Sequence, residues 1–107
     1  MHDFGNTPEM KRLERNLTVE LLWLYILSIL KKKNMHAYVL REEIRKEFGF
    51  LPGNVSAYVV LYKLESRNFV KAKQIENKKV YSITEKGKEL LKEAEENLTK
   101  KQKLIFG

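Results

Sequence analysis

Hydrophobic side chains in the first part of the chain recur at helical spacing. Met10, Leu13 and Leu17 follow the segment Thr-Pro-Glu at residues 7–9, which offers a capping hydroxyl, a proline suited to the first helical position and an early acid. The pattern predicts a leader helix, which either runs into the next helix or breaks near Leu17. Residues 1–6 lack any period and are predicted to form a loose tail.

The second predicted helix, residues 18–30, is apolar on nearly every side. A helix that packs one face on a core alternates apolar and charged positions, and this one does not. It therefore has to be covered on several sides, and in so small a chain a second subunit is a reasonable cover.

Two further helices are predicted at residues 35–48 and 54–67. Asn34 can cap the first and Gly49 can close it. Its apolar face consists of Tyr38 (or Ala37), Leu40, Ile44 and Phe48. Asn54 or Ser56 can cap the second, and Asn68 can take the left-handed position that ends it. Its single buried stripe comprises Ala57, Leu61 and Leu64.

Two β-type runs follow, at residues 70–75 and 80–83, joined by a polar turn at residues 76–79. A last helix is predicted from Thr84 to about Gln102, with its inner face marked by Leu90, Leu91, Ala94, Leu98 and Ile105. This helix is longer than a small core needs.

A helix pair followed at once by a basic hairpin is typical of a winged helix-turn-helix. We therefore predict an α+β class that is mainly α, with N- and C-terminal dimerisation helices. The predicted organisation is a tail and leader helix at 1–17, a winged-helix domain at 18–83 and a dimerisation helix at 84–107.

The chain is strongly basic, and the charge is concentrated in the predicted ribbon. Its 107 residues carry a net charge of +7. Residues 63–83 hold six basic and two acidic side chains, which is +4 of that total. Such a balance favours a polyanionic partner, with nucleic acid first and an acidic membrane surface second.

Other classes of function find little support in the sequence. The chain has no cysteine, two histidines and one aspartate, and it lacks the usual phosphate-binding and zinc-hydrolase patterns. We predict no enzyme activity, no metal site and no cofactor. The N-terminus lacks a signal-peptide pattern, and no apolar run approaches the ~20 residues of a membrane span, so a cytoplasmic location is expected.

The candidate DNA-contacting side chains lie on the outer face of helix 54–67 and on the ribbon. Amides and hydroxyls can bind base edges or phosphates, and Lys or Arg can do either. A solvated helix face is the plain alternative, but Val59 and Tyr62 are large for one. Lys71, Lys73 and Lys79 are predicted to share a solvent side of the ribbon, although lysines also protect sheet edges from aggregation.

Three ordered blocks resemble the PadR family of winged-helix regulators. They are YILSIL followed by MHAYVL (residues 25–30 and 35–40), SAYVVLYKLE (56–65) and KVYSITEKG (79–87). The sequence departs from the family pattern at His36, Ala37 and Ala57, and its ribbon turn lacks the common Gly-Arg. The resemblance implies a homodimeric, repressor-like regulator that binds DNA.

The resemblance also implies positions. Ser56, Tyr58 and Lys63 fall where the family contacts DNA, and Tyr38 falls beside them. The full predicted DNA-binding set is Tyr38, Asn54, Ser56, Tyr58, Val59, Tyr62, Lys63, Arg67, Lys71, Lys73, Lys78 and Lys79. The predicted dimer interface is Leu17, Leu21, Trp23, Leu24, Leu91, Ala94, Leu98 and Ile105. Some members bind flat aromatic ligands in the dimer pore, near Trp23 and Tyr25 here, where an ordinary core role is the commoner one for an aromatic residue.

The sequence thus leads to one functional hypothesis and one rival. The first is a sequence-specific regulator of transcription, a repressor, that binds double-stranded DNA as a homodimer on a pseudo-palindromic site. The rival is a winged-helix module that binds another protein through Val59, Tyr62 and the end of the last helix, without DNA.

Overall fold

A computed structural model describes residues 3–107 as five α-helices around a small antiparallel sheet. The helices are α1 (Pro8–Leu17), α2 (Leu22–Lys32), α3 (Ala37–Phe48), α4 (Asn54–Ser66) and α5 (Glu85–Phe106), and the strands are β1 (Met35–His36), β2 (Val70–Ile75) and β3 (Lys78–Ile83). The predicted class, mainly α with a winged helix-turn-helix, is confirmed. Met1 and His2 lie outside the described residues.

The N-terminal segment is more ordered than predicted. Phe4–Asn6 form a 3₁₀ turn whose Gly5 amide donates to the Asp3 carboxylate at 3.0 Å, so the loose-tail prediction is wrong for these residues. Thr7 caps α1 as expected, accepting from the Met10 amide at 3.2 Å. The leader helix does break after Leu17, and four residues of turn separate it from α2, which begins at Leu22 rather than at residue 18.

The core forms where α2 crosses the middle of the molecule. Its side chains on one side are fully buried against α3, α4 and the sheet. The largest buried side chains are Ile26, Leu27, Ile29, Leu30, Leu40, Ile44, Leu61 and Val70. Ala57, Leu61 and Leu64 form the buried stripe predicted for α4. Tyr38 and Ala37 were the two alternatives for the first position of the apolar face of α3. Ala37 is buried and Tyr38 is exposed.

The sheet has three strands in the order β1-β3-β2, one more than predicted. Met35 pairs with Tyr81 and His36 with Val80. These two residues were predicted to begin a helix capped by Asn34. The helix instead begins at Ala37, because the backbone of β1 bonds to β3. Gly49 closes α3 with φ of 80°, as predicted.

The ends of α4 and the ribbon turn also differ in detail. Gly53 stands at the N-cap of α4 without a side-chain hydrogen bond, so the prediction of an Asn54 or Ser56 cap is wrong. Asn68 has φ of 65°, as expected of the residue that ends α4. The ribbon turn is only Glu76-Asn77, with φ of 48° and 64°, which lengthens β3 by two residues and matches a tight hairpin turn.

Helix α5 is anchored at its first turn. The Thr84 hydroxyl accepts from the Gly87 amide at 3.0 Å, and the Thr84 amide donates to the Phe69 carbonyl at 3.1 Å. The Lys86 ammonium reaches the Arg67 carbonyl at 3.0 Å and lies 4.8 Å from the centre of the Phe69 ring. From residue 95 onward every residue of α5 is exposed, and the helix continues to Phe106 rather than ending near residue 102. No helix within residues 3–107 is long and apolar enough to span a bilayer.

Candidate nucleic-acid interface

The outer face of α4 carries large side chains that meet solvent. Tyr62 is 71% exposed and Val55 76% exposed, while Tyr58 and Val59 are about half exposed. Ala57, Leu61 and Leu64 point into the core, so the opposite face of α4 is left uncovered by the described residues. An exposed face of this kind is a candidate interaction site.

The turn before α4 is held by specific contacts that fix the direction of the helix. The Arg41 guanidinium donates from Nε to the Pro52 carbonyl at 3.0 Å in a half-buried setting. Tyr25 packs its ring between Phe48 and Phe50, with centroid distances of 4.8 and 5.0 Å. Pro52 itself is buried. These contacts make α3, the turn and α4 one rigid unit.

Tyr25 is part of this packing and also reaches the leader helix. Its phenol donates to the Leu17 carbonyl, and burial, with a smaller effect from Glu14, raises the pKa of the phenol. The side chain therefore has a structural task. Tyr38, by contrast, is 63% exposed at the start of α3, and its prediction as a surface contact is compatible with that position.

The lysines of the ribbon divide between its two faces. Residues directly opposite each other in an antiparallel pair share a face. Lys71 pairs with Ser82, Lys73 with Val80, and Ile75 with Lys78, so Lys71, Lys73 and Lys78 lie on one face. Lys79 pairs with Gln74 and belongs to the other face, where Val70 and Tyr81 join the core. The prediction that Lys79 shares a side with Lys71 and Lys73 is therefore wrong.

Lys79 connects the ribbon to α4. Its ammonium lies 3.2 Å from the Glu65 carboxylate and 5.5 Å from the centre of the Tyr81 ring. The hydrogen bond that Lys79 donates to Glu65 is the main reason that the pKa of Lys79 is raised above its ordinary value. No local pattern indicates this ion pair, because Glu65 and Lys79 are far apart along the chain.

The remaining cations of α4 and of the ribbon have no partner among the described residues. Within residues 3–107 the side chains of Lys63, Arg67, Lys71, Lys73 and Lys78 make no hydrogen bond or ion pair. Unpaired cations generate a positive potential that attracts anions. Asn54 and Ser56 stand exposed at the start of α4. The structure thus places amides, hydroxyls, tyrosines and free cations around one helix and one ribbon.

Sequence reasoning missed three residues of this surface. Val55 is more exposed than Tyr58, Val59 or Tyr62. Its position next to Asn54, a predicted contact residue, could have indicated that Val55 belongs to the same surface. Arg41 and Glu65 act by positioning α4 and Lys79, and no local pattern reveals such contacts between distant segments.

Six of the eight predicted dimer residues line a second, apolar surface. Leu21, Trp23 and Leu24 of α2 or its preceding turn face Leu90, Ala94 and Leu98 of α5 across one groove. A neighbouring groove between the same helices includes Leu24, Leu91 and Leu98. Leu17 is exposed on α1, which buries no residue at all, and Ile105 is 71% exposed. The structure places Leu17 and Ile105 outside these grooves.

Comparison with known proteins gives the chain a family context. The model of the transcriptional regulator PadR-like family matches residues 26–93. No curated protein matches the sequence.

Solved structures agree with that match. A PadR family transcription regulator from Clostridium difficile is 26% identical, with 79% of this chain and 94% of that chain covered and a TM-score of 0.71. A candidate transcriptional regulator from Thermoplasma acidophilum is 30% identical over 84% of this chain and 91% of that chain, with a TM-score of 0.73. Bacillus subtilis PadR in complex with operator DNA is 26% identical, covering 68% of this chain and 45% of that chain, with a TM-score of 0.63.

Proposed function

Since this chain belongs to the PadR-like family of transcriptional regulators, we propose that it binds specific double-stranded DNA as a homodimer and represses transcription. It is a DNA-binding regulator and not an enzyme. The observation that carries the proposal is the exposed face of α4 together with the unpaired lysines of the ribbon. A similar chain, Bacillus subtilis PadR, has been solved with operator DNA. We also expect a cytoplasmic location, since the proposed target is DNA.

Helix α4 has the chemistry to read a major groove. Asn54, Ser56 and Lys63 offer donors and acceptors for base edges, and Val55 and Val59 can contact thymine methyl groups. The tyrosine hydroxyls can donate to phosphates and fix the orientation of the helix. The rigid turn before α4 keeps these groups in place.

The ribbon supplies contacts to the DNA backbone. Lys71, Lys73 and Lys78 occupy one face and lack protein partners among residues 3–107. Lysine binds phosphate as a point charge and carries no sequence information directly. We therefore assign specificity to α4 and sequence-independent affinity to the ribbon.

The apolar surfaces of α1, α2 and α5 support pairing of two copies. Met10, Leu13 and Leu17 are each more than 40% exposed on one side of α1, and the far half of α5 projects into solvent. A two-fold dimer covers such surfaces with the same patch on each subunit. The dimer presents two α4 helices to the DNA. We therefore expect two half-sites that lie one turn of the DNA duplex apart, ~34–36 Å.

Repression follows from occupancy of the site. A bound dimer covers DNA that the transcription machinery would otherwise contact. The rival function, binding of a protein through Val59 and Tyr62, uses the same exposed face of α4. A purified protein without DNA affinity at low salt, together with a partner protein that occupies α4, would favour the rival.

The salt dependence of binding tests the ribbon. Replacing Lys71 or Lys73 with alanine is expected to weaken all DNA sequences alike. The slope of log K against log salt should flatten by about 0.9 for each phosphate that is no longer neutralised, or about 1.8 per position in a homodimer. Gel-shift titrations over a range of potassium chloride on a selected site and on random DNA measure both effects.

Lys46→Ala is the matched control, because it removes an exposed lysine of α3 that already pairs with Glu43 at 3.8 Å. Its slope should stay near that of the unchanged protein. If neither ribbon variant changed the slope, the assignment of the ribbon to phosphate would be wrong. Lack of DNA binding by the unchanged protein would refute the proposed function itself.

Glu65→Gln tests the ion pair between α4 and the ribbon. Loss of the carboxylate frees Lys79 and adds one positive charge per chain, so we expect tighter binding at low salt and a steeper salt slope. Folding stability should change by less than about 1 kcal/mol, the usual range for an exposed pair. Filter binding and urea denaturation measure the two quantities.

Glu85→Gln is the control for Glu65→Gln. It also removes an exposed carboxylate that pairs with a lysine, Lys88, at 3.2 Å, but it lies at the start of α5. Equal gains in DNA affinity for the two variants would mean that net charge alone acts, and that the Lys79 pair has no local role.

A further inference from the structure

The outermost stripe of α4 is apolar, although the helix already buries an apolar stripe on its other side. Val55, Val59 and Tyr62 lie at helical spacings of four and three residues, so they follow one line along the helix. Their side chains are 76%, 45% and 71% exposed. At about 100° per residue, this line runs roughly opposite the buried Ala57 and Leu64. The part of α4 that projects farthest from the core therefore carries no charged side chain.

Cations stand beside this apolar line rather than on it. Lys63 lies on the same flank of α4 as Ser56 and makes no ion pair among residues 3–107. The ribbon adds Lys71, Lys73 and Lys78, which are equally unpaired there. Duplex DNA has the complementary pattern, because the floor of its major groove displays uncharged base edges between two rows of phosphates. This match favours duplex DNA as the occupant of the outer face of α4.

Valine is an unusual residue for these exposed helical positions. It has a lower helix propensity than alanine, and neither Val55 nor Val59 joins the buried core. A valine in a helix strongly prefers one χ1 rotamer, so its two methyl groups keep a fixed direction. Contact with a partner then costs little side-chain entropy. Both valines are therefore better suited to recognition than to the stability of the fold.

We propose that Val55 and Val59 recognise the 5-methyl groups of pyrimidine bases in the major groove, one methyl group each. Thymine presents this methyl group in the major groove, and 5-methylcytosine carries it at the same ring position. Valine contains no hydrogen-bonding group in its side chain, so it distinguishes a methyl group from a hydrogen atom but not thymine from 5-methylcytosine. The inference deepens the proposed function and rests on it, because it requires α4 to enter a major groove.

The geometry of the helix also limits how far apart the two methyl groups lie. Val55 and Val59 are about one turn apart, which is about 6 Å along the helix axis. Base pairs stack about 3.4 Å apart. The two recognised pyrimidines therefore lie within about two base-pair steps of each other in each half-site. This spacing distinguishes the proposal from a general preference for A·T-rich DNA.

Deoxyuridine removes the methyl group of thymine without changing its base pairing, and so it tests the proposal directly. A site is first selected from random duplexes with the unchanged protein, and each thymine of a half-site is then replaced in turn. We expect two positions at which the replacement weakens binding about fourfold, as for the burial of one methyl-sized group. Replacement in both half-sites of a homodimer complex should multiply the effect to about sixteenfold. Gel-shift titration measures these ratios.

Variants assign each methyl group to one valine. Val55→Ala should abolish the effect of deoxyuridine at one of the two positions, and Val59→Ala should abolish it at the other. Val19→Ala is the matched control, because Val19 is similarly exposed, at 54%, but lies in the turn before α2. It should retain both effects. Circular dichroism checks that the variants are folded, and alanine is a better helix former than valine at both positions of α4.

Methylated cytosine separates the methyl group from the rest of the base. With a C·G pair at either position, 5-methylcytosine should bind about fourfold more tightly than cytosine, and the matching valine-to-alanine variant should remove this gain. Equal binding of the two cytosine duplexes would overturn the claim that the methyl group alone is recognised.

No effect of deoxyuridine at any position, or effects that survive both Val55→Ala and Val59→Ala, would overturn the proposal. These ratios are measured on a site that the unchanged protein already binds. A failure of the proposed function would therefore appear earlier and separately, as the absence of any selected site.

Discussion

Replacing Leu98 with aspartate is expected to convert the proposed homodimer into a monomer and to weaken binding to a DNA with two half-sites by about a hundredfold or more. Leu98 borders both apolar grooves between α2 and α5 and is 43% exposed in the single chain. A charge buried there without a partner is costly. A monomer also cannot contact both half-sites at once. Simultaneous binding of two linked modules raises the overall affinity by a factor of about 10²–10⁴.

Light scattering coupled to size exclusion measures the mass, and gel shift measures the DNA affinity. Leu51→Asp is the matched control for the oligomeric state, because Leu51 is similarly exposed, at 49%, but lies in the turn before α4. It should remain dimeric. A monomeric mass for the unchanged protein at micromolar concentration, or a dimeric Leu98→Asp, would contradict the proposed interface.

Local signals in the sequence predicted the helix ends that are formed by a capping hydroxyl or by a residue in the left-handed conformation. Thr7 and Thr84 cap α1 and α5, and Gly49 and Asn68 take left-handed conformations where predicted. Such signals act over three or four residues, so a single segment contains all the information. The buried stripe of α4 was predictable for the same reason, because side chains three and four residues apart share a helix face.

Features that depend on distant segments were not predictable in this way. The strand β1 has only two residues, and it exists because Met35 and His36 bond to β3, much later in the chain. The side of the ribbon on which Lys79 lies follows from its place in β3, which the two-residue turn lengthens to Lys78–Ile83. The predicted four-residue turn included Lys79, so strand alternation was not applied to it, whereas in the structure it pairs with Gln74 and shares a face with Tyr81.

The candidate site also combines features that neighbouring residues determine with features that depend on distant segments. The outward residues of α4 follow from helix geometry once the buried stripe is known, and the structure places Asn54, Ser56, Val59 and Tyr62 in solvent. The contact between Glu65 and Lys79 arises from packing of α4 and the ribbon. No period along the chain encodes it.

The second large effect is expected for Gly87→Ala. Helix propensity alone predicts that this change stabilises the fold, whereas the structure predicts that it destabilises the fold. Gly87 lies within α5, where alanine ordinarily stabilises a helix by about 1 kcal/mol relative to glycine. A Cβ at this position would lie 2.2 Å from the Phe69 carbonyl oxygen and 2.7 Å from Cγ1 of Ile83. The Phe69 oxygen cannot retreat freely, because it accepts from the Thr84 amide. We expect a loss of about 3 kcal/mol, at the upper end for overpacking.

Urea denaturation followed by circular dichroism measures this loss as a lower midpoint. Gly53→Ala is the matched control, because a Cβ there meets only the Ser56 side chain, at an ordinary contact distance of 3.5 Å. Its stability should change by less than about 1 kcal/mol. A Gly87→Ala protein as stable as the parent would mean that α5 can shift away from Phe69 without cost. The first turn of α5 would then not fix the direction of α5 relative to the winged-helix domain.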